Sequence, residues 1–232
     1  MPRIARLVVP GLPHHVVQRG VRSADIFGSD DDRRAYLDLL AAAAEHHGLK
    51  FLAWCLMTNH VHLLVVPKAT DSLRGIGDAH WRYTRLVNFR AGLRGHLFQE
   101  RFRSYVVQRD GHLVAVGRYV ELNPVQAGLV RRAEAWPWSS AGFNAGDRRE
   151  DVLVQAPELR EMTGSWRRVL RDGEEEAERK RIEAHMATGF PLGADAWVRR
   201  LEREQERRLS PGQPGWPKGK PRKPAGEEVA QP

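Results

Sequence analysis

Apolar positions in the first half of the chain fall into short runs separated by longer stretches of helical period. Residues 14–19 read as a short strand that stops at Gly20. Asp30, Asp31 and Asp32 offer a helix start, since carboxylates are favoured at the positive end of the helix dipole. Tyr36, Leu37, Leu39, Leu40 and the alanines at 41–44 carry that helix to Gly48, a natural stop. Residues 51–57 are apolar and short enough for a buried strand, Thr58 and Asn59 suit a turn, and residues 60–66 form a second strand closed by Pro67. Strands joined so tightly predict a hairpin. From 72 to 93, Leu73, Ile76, His80, Tyr83, Leu86 and Val87 recur at three and four, the period of a helix with one buried face. Residues 102–108 predict a fourth strand. Asp110 then caps a helix carrying Leu113, Val114, Val116, Tyr119 and Val120, which Asn123-Pro124 is expected to end, because a residue before proline disfavours the helical region. The order strand, helix, strand, strand, helix, strand, then an extra helix predicts an α+β, ferredoxin-like antiparallel sheet with helices on one face.

Beyond residue 140 the pattern changes. Residues 174–181 and 199–208 mix both charges densely, as exposed helices laced by ion pairs do. Residues 210–232 are rich in Pro, Gly and Lys and are expected to be disordered when unbound. The expected organisation is therefore a folded unit over 1–145, a charged helical extension over 146–209 and a basic tail over 210–232.

Charge sharpens this picture. Lys and Arg outnumber Asp and Glu by 37 to 29 over 232 residues, for a net charge of +8. The first 145 residues hold 19 basic and 12 acidic side chains, so +7 of that excess lies there. A basic balance of this size favours a polyanionic partner. No apolar run approaches the ~20 residues that cross a bilayer, and residues 1–9 lack the apolar core of a signal peptide. Nucleic acid is thus the expected partner, with no membrane, in the cytoplasm. Cys55 is the only cysteine and lies in an apolar run, which excludes an intrachain disulfide and marks it as a core residue.

Two constellations carry chemistry. His60 and His62 alternate with Val61, so on a strand both imidazoles share a face and can converge on a divalent metal; a polar strand face with two histidines fits equally. Tyr119 and Asn123 lie one helical turn apart. A tyrosine attacks only where it or its target is activated, and a metal-polarised phosphodiester is such a target. The Asn123 amide oxygen suits a hard cation such as Mg²⁺, while a half-buried core tyrosine and a capping asparagine fit the same residues. His14 and His15, on the first strand, read as packing or phosphate-contact residues.

The combination has a resemblance. Trp54-Cys55-Leu56-Met57-Thr58-Asn59-His60-Val61-His62-Leu63-Leu64-Val65 resembles the HUH segment of REP-associated tyrosine transposases, which are single-tyrosine HUH enzymes. Tyr119-Val120-Glu121-Leu122-Asn123-Pro124-Val125-Gln126-Ala127-Gly128-Leu129-Val130, Leu97-Phe98-Gln99-Glu100-Arg101-Phe102 and Trp136-Pro137-Trp138-Ser139-Ser140 add to it, and the likeness covers residues 1–143. It implies a bacterial, nucleoid-associated HUH catalytic domain over 1–145 that binds a REP-type DNA hairpin and cuts single-stranded DNA beside it, acting as monomer or homodimer. His60 and His62 are then the ligands of Mg²⁺ or Mn²⁺, Asn123 falls where relatives place a third ligand, and Tyr119 is the nucleophile that takes the 5′ phosphate. Strand transfer through a phosphotyrosine needs no nucleotide, and the chain has no Gly-x-x-x-x-Gly-Lys loop.

Arg19, Arg82, Arg85, Arg101 and Arg103 are the expected DNA contacts in the folded unit, with Lys218, Lys220, Arg222 and Lys223 in the tail. Trp136 and Trp138 suit either base stacking or packing on the sheet. The alternative is a non-catalytic hairpin-binding protein that retains the fold. A zinc hydrolase is disfavoured, because no glutamate stands beside the histidines to act as base.

Overall fold

Strands β1 (His14–Arg19), β2 (Leu49–Leu56), β3 (His60–Pro67) and β4 (Arg103–Val106) form one antiparallel sheet in the order β2-β3-β1-β4. This is the split arrangement expected of the ferredoxin-like pattern. The computed structural model describes residues 6–211. The basic tail residues Lys218, Lys220, Arg222 and Lys223 lie outside them.

Helices α1 (Asp30–His47) and α2 (Arg74–Ala91) pack on one face of the sheet, over a core that includes Trp54, Leu56, Val61, Leu63 and Val65. Ser29 caps α1 by accepting from the Asp32 amide, and Gly48 ends it at φ 64°, a conformation that costs glycine little. The extra helix, α3 (Gly111–Gln126), covers the opposite face, where Leu113, Val116 and Val120 meet Ala53, Cys55 and Leu64. Cys55 is fully buried there, as its apolar setting predicts.

The expectation that Asn123-Pro124 ends this helix is wrong. Pro124 lies inside the last turn of α3 and is buried, although its nitrogen cannot donate a hydrogen bond and its ring crowds the carbonyl one turn back. Packing of α3 on the sheet outweighs the local preference of residue 123. The last strand also differs from the expected 102–108. Past Val106 the chain leaves β1: Val107 bridges Leu192, and the Gln108 amide donates to the Leu192 carbonyl at 2.9 Å. The other edge is covered as well, because residues 138 and 140 exchange backbone hydrogen bonds with Leu56 and Trp54 on β2. Both edges of the sheet are thereby protected from pairing with another chain.

After α4 (Ala141–Asn144) come α5 (Glu158–Thr163), α6 (Trp166–Asp172), α7 (Glu176–Thr188) and α8 (Asp195–Glu204). Leu159, Trp166, Ile182 and Leu192 are buried in the same cluster as α3. Gly117 permits this approach, since a Cβ there would lie 2.8 Å from Leu159 and 3.1 Å from the Trp166 ring. Beside it, the buried Glu121 carboxylate accepts from Ser140 Oγ at 2.5 Å, Asn144 Nδ2 at 2.7 Å and Trp166 Nε1 at 2.6 Å. No helix among the described residues is long and apolar enough to cross a membrane.

Buried histidines make this fold sensitive to acid. His14 donates from Nδ1 to the Leu12 carbonyl and accepts the Val9 amide at Nε2, and His80 meets the Tyr36 hydroxyl at 2.8 Å. Burial lowers His14 to about 4, and His15 and His80 to about 3. The unfolded chain protonates these rings near pH 6.5, so below that pH it binds more protons than the fold; the stability they contribute is present above 6.5 and lost as pH falls. At pH 5 each ring costs about 2 kcal/mol. Glu121, raised to about 7 by burial, gains its proton over the same range and opposes the loss, but one carboxyl stands against three rings. Thermal melts should therefore show Tm dropping steeply from pH 7 to pH 5; a flat profile would contradict these buried neutral histidines.

Candidate active site

Side chains two apart on a strand share a face, and β3 turns His60 and His62 towards α3. The register sets His62 between Val17 on β1 and Cys55 on β2, in the middle of the sheet, with His60 opposite Arg19 at its end. From α3, the Tyr119 ring meets His62 edge-on at 5.5 Å between centroids, and the two histidine rings are 5.0 Å apart. His60, His62, Tyr119 and Asn123 line one cavity of about 410 Å³.

His62 is held by a partner that local pattern did not assign to the site. His15 Nε2 lies 3.0 Å from His62 Nδ1, and His15 Nδ1 lies 2.9 Å from the Tyr105 hydroxyl. With a proton on each Nδ1, His62 donates to His15 and His15 donates to the Tyr105 oxygen, an arrangement that leaves His62 Nε2 with a free lone pair. His60 is fixed similarly, with Nδ1 2.6 Å from the Asn59 side-chain oxygen. Burial drives His62 well below its ordinary pKa, helped by His15, His60 and Arg19. It lowers His60 to about 4, with Arg19 adding to the effect and Asn123 opposing it. Both rings are thus neutral, the form that binds a metal.

These residues fit a divalent cation. Each imidazole has one nitrogen anchored by a hydrogen bond, the arrangement that orients a metal ligand. The Asn123 amide donates to the Tyr119 carbonyl at 2.7 Å, which leaves its oxygen as a lone-pair donor. Among the described residues no group of three or more His, Cys, Asp or Glu side chains is placed to hold a metal.

Tyr119 is buried, and its phenol is raised above the ordinary tyrosine value, first by burial and then by Glu183 and Glu174; Arg179 and Arg19 oppose the shift. Glu174, Arg179, Glu183 and Met186, in and just before α7, form the outer wall of the same cavity. Sequence reasoning missed this wall, because its dense mixed charge is the pattern of a solvated helix. The Arg118–Glu178 ion pair ties α3 to α7.

The basic residues divide. Arg19 lines the cavity itself. Arg101 and Arg103 line an adjoining cavity of about 310 Å³ that also includes Arg19, and Arg103 pairs with Glu100 at 2.9 Å. Arg82 and Arg85 lie on α2, across the sheet from Tyr119. Trp136 and Trp138 pack on the sheet, and Trp136 Nε1 donates to the Leu56 carbonyl at 3.1 Å.

Comparison with known proteins bears on this arrangement. The family model described as IS200-like transposase matches residues 8–123. A Haemophilus influenzae protein described as a candidate REP-associated tyrosine transposase is 27% identical over an alignment of 107 residues, and the match covers 41% of this chain and 61% of that relative. The solved structure of a REP-associated tyrosine transposase bound to a REP hairpin has a TM-score of 0.54 at 16% identity, covering 67% of this chain and 92% of the other. At that identity the likeness is one of fold. A candidate transposase from Deinococcus radiodurans gives a TM-score of 0.36 at 20% identity, over 51% of this chain and 95% of its own.

Proposed function

This chain belongs to the family of IS200-like transposases, and from that premise we propose that it is a metal-dependent single-strand DNA endonuclease and strand transferase that recognises a DNA hairpin and cuts beside it. The observation that carries this reading is the convergence of His60, His62 and Tyr119 on one cavity. The relative seen with a REP hairpin supports DNA of that kind as the partner.

His60 and His62, with the Asn123 oxygen, are the residues that would hold Mg²⁺ or Mn²⁺. Such an ion, when bound, neutralises charge on a phosphodiester oxygen and so favours attack at phosphorus. Tyr119 rests as the neutral phenol. Its oxygen forms the new bond to phosphorus, the bond to the 3′ oxygen breaks, and the proton the phenol gives up ends on the departing 3′ hydroxyl. The phosphotyrosine ester keeps the energy of the broken bond for rejoining to another 3′ hydroxyl. Arg19 and Arg179 flank Tyr119 in the cavity wall, where guanidinium groups suit phosphate oxygens. His15 acts through His62 as a positioning residue.

The test is incubation of the full chain with Mg²⁺ or Mn²⁺ and a hairpin oligonucleotide bearing single-stranded flanks, followed by a denaturing gel. Wild type should yield a covalent protein–DNA adduct. The doubly substituted His60→Ala, His62→Ala protein should lose it, along with Mn²⁺ binding measured by calorimetry. Tight hairpin binding by wild type without any adduct would instead favour a non-catalytic hairpin-binding protein.

A further inference from the structure

The largest cavity among those around the site does not hold the catalytic residues. It measures about 960 Å³ and lies beside α2, with Trp81, His96, Phe98 and Arg101 in its wall. It joins the active-site cavity through a chain of shared walls. The active-site cavity shares Arg19 and Glu183 with the 310 Å³ cavity, and that one shares Gln18, Gln99, Glu100 and Arg101 with the large one. The three cavities thus share walls in succession, from Tyr119 past residues 99–103 to the α2 side of the sheet.

At the α2 end, Trp81 is 59% exposed, Phe89 87% and Leu93 64%, large apolar side chains spaced along α2 and the turn after it. Trp81, Arg85 and Phe89 recur every four residues and so share one face of α2. The Arg85 guanidinium lies over the Trp81 ring at 4.8 Å. Between residues 74 and 94 there are five arginines and a single acidic residue, Asp78. Flat rings interleaved with cations fit stacked bases and their phosphates. A second copy of this chain fits poorly, because a symmetric contact would set the arginines of one copy against those of the other.

We propose that the Trp81–Arg85–Phe89 face of α2 is a stacking platform for unpaired DNA bases, and that these arginine-lined cavities carry the strand between this platform and Tyr119. The proposal rests on the reading of the Tyr119 cavity as a DNA-cutting site. It concerns binding alone, so it can fail separately.

Single-stranded oligonucleotides from about 4 to about 20 nucleotides, titrated against the full chain in EDTA, measure it by fluorescence anisotropy. Affinity should rise with length. Trp81→Ala should weaken binding of the longest strands by about 10-fold and so lower the ratio of long-strand to short-strand affinity, with Phe89→Ala acting in the same direction. Trp81→Phe should keep most of the ratio, because phenylalanine still stacks. Equal long-strand affinity for wild type and Trp81→Ala would overturn the proposal. So would a change in sedimentation from dimer to monomer with DNA affinity intact, since the face would then join two copies. Should wild type form no adduct in Mg²⁺ while the Trp81-dependent ratio persists, the cutting activity fails and the platform stands.

Discussion

Replacing Tyr119 by phenylalanine should abolish the covalent protein–DNA adduct and lower strand cleavage by on the order of 10³-fold or more, because in the proposed reaction the substitution removes the oxygen that forms the ester. Hairpin binding and thermal stability stay near wild type. The ring is what packs: its centroid lies 5.5 Å from that of His62 and 5.9 Å from that of His15, and phenylalanine keeps both edge-on contacts. Only the oxygen is lost. Gel analysis of the adduct, beside a binding titration on the same preparation, separates these effects. Persistence of the adduct in Tyr119→Phe would mean that another residue is the nucleophile.

The second large effect is on stability. Glu121→Ala should destabilise the protein by about 3–5 kcal/mol, since buried donors left without an acceptor cost about 1–3 kcal/mol each and the lost side-chain volume adds to this. Glu121 is fully buried on α3 and is the shared acceptor for Ser140, Asn144 and Trp166. Without it, three buried donors lose their acceptor and a space opens between α3 and α6. Glu121→Gln keeps the volume but turns an amide N–H₂ towards groups that are already donors, so it should also cost, by about 1–3 kcal/mol. Urea unfolding followed by circular dichroism measures both. A change below about 1 kcal/mol for Glu121→Ala would show that the network contributes little.

What could be seen in the sequence, and what could not, divides by range. The β2–β3 hairpin was legible because Thr58-Asn59 separates two short apolar runs, and the sharing of one face by His60 and His62 follows from the strand period alone. The helix expected from Asp30 to Gly48 and the Asp110 cap are equally local, although the cap of the former is Ser29. His15 was not legible as the support of His62, since 47 residues separate them and only the β1–β3 register joins them. Glu121 looks like any charged residue on an amphipathic helix until the segments at 140, 144 and 166 close over it. The same holds for α7: pairs such as Lys180–Glu176 at 3.3 Å are local and solvated, whereas Arg179 and Glu183 reach the Tyr119 cavity through the long-range packing of Ile182 and the Arg118–Glu178 pair. Pro124 is the converse case, a strong local signal overridden by burial of α3.

The central claim is that Tyr119 carries the DNA. Its most direct test is to trap the adduct from wild-type protein and Mg²⁺ with a flanked hairpin oligonucleotide, digest with trypsin and nuclease, and locate the remaining nucleotide by mass spectrometry. Trypsin cuts after Arg118 and Arg131, so the peptide beginning at Tyr119 and ending at Arg131 should carry a 5′-phosphodeoxynucleotide on its first residue. A nucleotide on any other residue, or cleaved DNA with no modified peptide, would contradict it.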